Sequence, residues 1–169
     1  MLRVGEFERV SLKQFETAWE KCFADTQEEI KNLYENIKLP VRATSGSAGY
    51  DFFSPITITL SPKQNILIPT GIRVKVENGW FLAIVPKSGL GFKYRLQVDN
   101  TIGIIDSDYY YSDNEGHIFI KITNDTNEDK VLELKAGASM CQGIFLPFGI
   151  TQSDNATEMR NGGLGSTSK

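Results

Sequence analysis

The chain has 169 residues, 40% of them hydrophobic and 23% charged, a balance that suits one globular domain with a real core and is too apolar for a disordered chain. With 18 Lys and Arg against 21 Asp and Glu the formal charge is -3, so the broad basic surface that drives sequence-independent nucleic-acid binding is missing and no stable nucleic-acid complex is expected. No apolar run reaches the roughly 18 residues of a spanning helix, the first residues lack the apolar stretch of a secretion signal, and two distant cysteines with the single His117 offer no structural zinc site. The expectation is a cytoplasmic protein with two free thiols and no membrane contact.

Residues 1–38 read as a helical N-terminal extension. Ser11-x-x-Gln14 and Thr26-x-x-Glu29 have the spacing of capping boxes, and each precedes apolar residues at helical intervals: Leu12, Phe15, Trp19 and Phe23, then Ile30, Leu33, Tyr34 and Ile37. Pro40 ends the helical pattern. The aromatic stripe either packs on the body of the chain, the commoner use of such spacing, or offers a face to a protein partner.

From about residue 41 the period changes to two. Ile56–Leu60, Ile72–Val76, Ile118–Ile122 and Val131–Leu134 send alternate side chains to one face, as half-buried strands do. Asn78-Gly79 marks a hairpin turn before a strand running from Trp80 to Val85. Short strands divided by Gly, Pro, Asn and Asp, without helices between them, predict a mainly β fold over residues 39–150: an antiparallel barrel or sandwich. Residues 151–169 lose all apolar periodicity and read as a flexible C-terminal arm. Its Arg160 and closely spaced glycines could instead close over phosphates, since glycines leave backbone N–H donors open.

Three stretches combine small and polar residues where strands end. Pro86-Lys87-Ser88-Gly89-Leu90-Gly91 reads as a turn able to aim amide groups, a hydroxyl and an ammonium at an anion, but it is not the strand–loop–helix phosphate motif. Gly103-Ile104-Ile105-Asp106-Ser107-Asp108-Tyr109 ends an apolar run with two carboxylates, either turn residues or, without a catalytic histidine, the means to polarise a water. Ala48-Gly49-Tyr50-Asp51 sets a lone carboxylate among aromatics.

In order and spacing these stretches, with Ser139-Met140-Cys141-Gln142-Gly143-Ile144-Phe145 and the arm from Arg160 to Ser168, resemble the five motifs of the trimeric deoxyuridine triphosphatase (dUTPase) family over about residues 38 to 168. The resemblance implies a jelly-roll-like fold, a homotrimer with sites shared between subunits, and Mg²⁺ held mainly by the substrate phosphates rather than by protein ligands. It also implies hydrolysis of dUTP to dUMP and pyrophosphate, which limits uracil incorporation into DNA. Asp106 then matches the carboxylate that activates the attacking water. Lys87, Ser88, Gly89 and Gln142 match phosphate-binding positions, Asn100 and Gly103 the uracil edge, and Tyr109 the sugar platform that rejects a 2′-hydroxyl. Arg160, Leu164, Gly165 and Ser166 match the closing arm, and Asp51 a supporting position near the water.

Departures from the family pattern are Lys87 for arginine, Leu164 for the arm's phenylalanine, Ser139 and Cys141 in the fourth motif, and a lengthened hairpin over residues 110–115. Two rival readings keep the fold. A dCTP deaminase-like enzyme would use Glu115 as its proton shuttle, and a regulator or binding protein would use the N-terminal helices or the long hairpin as its contact surface.

Overall fold

Strand structure begins well before residue 41. In the computed structural model, which describes residues 1–158 and Arg160, Gly5–Arg9 forms strand β1 ahead of helices α1 (Leu12–Trp19) and α2 (Gln27–Glu35). β1 pairs antiparallel with β6 (Ile72–Val76), from Gly5 opposite Val76 to Arg9 opposite Ile72. Phe7 lies within 5.2–5.7 Å, centroid to centroid, of Tyr50, Phe52 and Phe145, while Glu6 and Glu8 take the other side of the strand. A single apolar side chain between two acids carries too little alternation to announce a strand; the partner strand and the aromatic cluster decide it.

Both expected helices form. Thr26 and Glu29 make the full reciprocal box. Ser11 accepts from the Gln14 N–H at 3.1 Å, but its own backbone N–H goes to Glu115 rather than to Gln14, so the second half of that box comes from a distant part of the chain. Phe15, Trp19 and Ile30 are fully buried, so the aromatic stripe is part of the chain's own core.

The remaining strands are β2 (Val41–Arg42), β3 (Tyr50–Phe53), β4 (Ile58–Leu60), β5 (Asn65–Pro69), β7 (Trp80–Pro86), β8 (Leu96–Val98), β9 (Gly103–Ile105), β10 (Phe119–Asn124), β11 (Leu132–Leu134) and β12 (Ser139–Pro147). They form sheets β1-β6, β5-β10-β8, β11-β4 and β2-β3-β12-β7-β9, with every pairing antiparallel. This is the expected jelly-roll-like, mainly β architecture. Ile72, Val74 and Val76 are buried while Lys75 between them is exposed, the period-two pattern that makes strand and core the same signal.

Three local expectations change. Asn78-Gly79 does turn the chain, with Trp80 N–H donating to the Glu77 carbonyl at 3.1 Å, yet β6 and β7 belong to different sheets. Only Gly79 has positive φ, at +83°, which fits a type II turn; such turns splay their strands, whereas a primed turn would have paired them. The segment from Lys87 is not a loose turn but the start of helix α3 (Ser88–Tyr94). Residues 110–115 are not a long hairpin either: Ser107–Tyr111 coils into a 3₁₀ helix, and the chain passes from β9 in one sheet to β10 in another.

His117 sits just before β10, wholly buried, its ring 4.7 Å from Phe119 and 6.3 Å from Phe15. Its Nε2 accepts the Gly71 N–H at 2.8 Å, which requires the neutral ring. Burial pushes its pKa down to about 4, against the weaker opposing pull of Glu115. The unfolded chain protonates this ring near pH 6.5 and the folded chain does not until about pH 4. The stability tied to the neutral ring is therefore complete above pH 6.5 and lost as pH falls toward 4, about 3 kcal/mol in all. Urea unfolding at pH 7.5 and 4.5 is expected to show this loss in the wild type and not in His117→Gln; equal losses in both proteins would contradict it.

Candidate active site

The first, second and fourth motifs meet at one end of the large sheet. Gln142 of β12 stands opposite Asp51 of β3 on one side and Val85 of β7 on the other. Lys87, just past the end of β7, reaches back so that its Nζ donates to Asp51 Oδ1 at 2.6 Å, and Gln142 Nε2 donates to the same oxygen at 2.8 Å. Burial works to raise the Asp51 carboxyl, but the Lys87 and Gln142 hydrogen bonds and the Lys87 charge outweigh it and hold it below its ordinary value. A Cβ on Gly49 would come within 3.1–3.2 Å of the Gln142 side chain, so the glycine leaves the space this carboxamide occupies. Ser88 and Gly89, both exposed, are the first residues of α3, where backbone N–H groups lack intrahelical acceptors.

The third motif lies elsewhere. Gly103 of β9 is buried opposite Ile84, and Asn100 stands beside it in the preceding turn. Asp106 caps the 3₁₀ helix with extended backbone, its side chain 41% exposed. Arg160 Nη2 donates to Asp106 Oδ2 at 2.5 Å, and its Nε lies 3.5 Å from Asp108 Oδ1. The guanidinium also stands 5.9 Å from the centre of the Tyr109 ring. Tyr109 is buried, donating to the His117 carbonyl at 2.7 Å and accepting from Asn114 Nδ2 at 2.8 Å.

Strand register sets the distance between these groups. Ile105 pairs with Leu82 near the start of β7, whereas Lys87 and Ser88 follow its end, so at about 3.3 Å per residue Asp106 and the Lys87 end are roughly 20 Å apart along the strand. One chain thus brings Asp51, Lys87 and Gln142 together, and Asp106, Tyr109 and Arg160 together, but not the two sets. Leu164, Gly165 and Ser166 lie outside the described residues. Among the described residues no group of three or more His, Cys, Asp or Glu side chains is placed to hold a metal ion, and no helix is long and apolar enough to cross a membrane.

Some of this was not read from the sequence. Asp108, given no site role by the family resemblance, shares Arg160 with Asp106; the Asp-Ser-Asp spacing was the available signal. The direct Lys87–Asp51 ion pair was likewise missed, since 36 residues separate the two and only sheet register joins them. Glu115, the proposed shuttle of the deaminase-like alternative, is instead bound through its carboxylate to Ser11. Cys141 is buried in β12 and burial pushes its thiol up to about 12, which leaves it unreactive.

Fold and motifs define a jelly-roll β protein with polar, backbone-rich ends to its strands. A family model described as dUTPase matches residues 35–168, and the chain belongs to the dUTPase family. A deoxyuridine 5'-triphosphate nucleotidohydrolase of Lactococcus lactis is 39% identical over 82% of this chain and 95% of that protein; one from Aeromonas salmonicida is 33% identical over 85% and 98%. The crystal structure of dUTPase from Streptococcus mutans aligns with a TM-score of 0.63 and 32% identity, covering 87% of this chain and 98% of that one.

Removing Lys87 strips the largely buried Asp51 carboxylate of its ion-pair partner. Lys87→Ala is therefore expected to cost about 2 kcal/mol of stability, read as a lower urea midpoint, and Lys87→Arg to recover most of it. An unchanged midpoint in Lys87→Ala would show that the pair contributes nothing.

Proposed function

We infer that the protein hydrolyses dUTP to dUMP and pyrophosphate by attack of a water on the α-phosphorus. One observation carries the reading: Asp106, in the third motif of a dUTPase-family chain, is a half-exposed carboxylate at the head of a short helix with an arginine against it. A base so displayed can orient a water and accept its proton as the new P–O bond forms and the bridging oxygen leaves with pyrophosphate. Ser88, Gly89 and the first turn of α3 would bind the phosphate chain, with Gln142 on an α-phosphate oxygen. Asp51 would fix the orientation of Gln142 and Lys87 through the contacts described. Asn100 and the backbone to Gly103 would read the uracil edge, and Tyr109 would lie under the deoxyribose. Leu164, Gly165 and Ser166 would close over the nucleotide with the arm. Arg160 would exchange its carboxylate partners for the γ-phosphate on closure, a favourable trade for a planar guanidinium.

The separation along β7 supports a shared site. The α-phosphate has to meet both the water at Asp106 and the Gln142 cluster, and within one chain these lie about 13 Å apart along the strand at Gln142 and about 20 Å at Lys87, too far for one phosphorus to meet both. A homotrimer, with the two halves supplied by different copies, resolves this. Mg²⁺ prefers oxygen ligands from one or two carboxylates together with substrate phosphates and water, and the carboxylates around the third motif suit an ion carried chiefly by the triphosphate. When bound it supplies neutralisation of phosphate charge. The unpaired thiols of Cys22 and Cys141 agree with a reducing, cytoplasmic setting.

Asp106→Asn is expected to lower kcat for dUTP by about a thousandfold while a non-hydrolysable dUTP analogue still binds. Retained turnover in that variant would overturn the mechanism. Purified protein with Mg²⁺ should convert dUTP, but not dCTP, dTTP or UTP, and its mass in solution should be three times that of the chain.

A further inference from the structure

The segment that follows Asp106 is held from behind by the N-terminus of the chain. One oxygen of Glu8 in β1 accepts from Arg73 Nη2 at 2.7 Å, from Arg73 Nε at 3.1 Å and from Tyr110 Oη at 2.8 Å, and the Arg73 guanidinium lies 4.4 Å over the Tyr110 ring. Further along, both oxygens of Glu115 are engaged by one residue: Ser11 donates its backbone N–H at 2.7 Å and its hydroxyl at 2.6 Å. Glu115 has φ of +58°, a left-handed conformation that a residue with a side chain enters at a cost and keeps only where its surroundings hold it. Burial opposes the Glu115 charge, and the Ser11 donors outweigh it.

Between these two fastenings and β9 lies the 3₁₀ helix that presents Asp106. It spans only five residues, closed at its ends by Tyr109 N–H to the Asp106 carbonyl at 3.2 Å and Ser112 N–H to the Tyr109 carbonyl at 3.0 Å. So short a helix does not hold its own direction. Short hydrogen bonds with a charged partner at its far end do, because they are both strong and directional.

We propose that the N-terminal segment is a positioning element of the active site: Glu8 with Arg73 through Tyr110, and Ser11 through Glu115, set the helix that aims Asp106. The proposal rests on the dUTP-hydrolysing reading. None of these residues is among those assigned above to the nucleotide. They act through the direction of the Asp106 carboxylate, where an error of about 1 Å can cost up to about a hundredfold in rate.

The test is steady-state hydrolysis of dUTP by the full chain and its variants, with thermal unfolding followed alongside. Glu115→Ala is expected to lower kcat about tenfold and Ser11→Ala, which keeps the backbone N–H bond to Glu115, about threefold, each with KM within about threefold, and the double variant to be no slower than Glu115→Ala, since both act on one link. Ser11→Thr, which keeps the hydroxyl, should restore the rate. Tyr110→Phe, which keeps the ring under Arg73 and removes only the hydroxyl that donates to Glu8, should lower kcat about threefold and serves if a larger change prevents folding. In an Asp106→Asn background Glu115→Ala should slow the residual reaction no further. Unchanged kcat in all the single variants, a loss confined to KM, or an undiminished Glu115→Ala effect without Asp106 would overturn the inference while leaving the reaction standing. A wild type that does not hydrolyse dUTP would overturn the reaction itself, and the inference with it.

Discussion

The antiparallel ladder between β7 and β12 is the constraint on which the rest of the molecule depends. It runs through seven consecutive pairs, from Cys141 opposite Pro86 to Pro147 opposite Trp80, and the strands beside it take their register from it. β3 lies along β12 and so delivers Asp51 to Gln142; β9 lies along β7 and so fixes where Asp106 leaves the sheet. A one-residue slip of β12 in this ladder would turn Gln142 away from Asp51, and one of β7 would turn Leu82 and Ile84, both buried, to the opposite face. The apolar core and the polar cluster therefore select the same register, one by excluding water and the other by satisfying a carboxylate whose charge burial opposes.

The fold class was readable because burial in this protein follows period two so closely. β6 appeared at its expected residues, and β4, β10 and β11 within two residues of theirs, since each carries its own alternating apolar face. β1 did not, because Glu6, Phe7 and Glu8 show alternation only to a partner strand already in place. Asn78-Gly79 announced a change of direction correctly, but which sheet receives the next strand depends on which turn type the surroundings select. The site divides in the same way. Asp51, Ser88, Asp106 and Gln142 stand out within local motifs, whereas the Lys87–Asp51 pair, the second carboxylate at Arg160 and the Ser11–Glu115 link join residues distant in sequence and exist only once the sheets are assembled.

The N-terminal helices illustrate how a segment without catalytic residues becomes part of the machinery. Phe15 packs against His117, whose carbonyl holds the Tyr109 hydroxyl, and Ser11 holds Glu115 on the same loop. The neutral, buried imidazole and the charged, fastened glutamate lie two residues apart, and each is suited to its own side of the loop: one to the hydrophobic core, the other to the cap of α1. Core packing, helix capping and the geometry of the third motif are here one set of contacts, which is why the aromatic stripe of α1 is buried rather than offered to another protein.

The distance along β7 between the two halves of the site has a genetic consequence in the proposed trimer. Each chain lends Asp106 to one site and its Gln142 cluster to another, so an allele damaged at one end spoils one site for each defective chain in a mixed trimer, and one damaged at both ends spoils two. Conversely, two alleles damaged at opposite ends of β7 would complement each other, because mixed trimers contain some sites that draw only on the sound end of each chain.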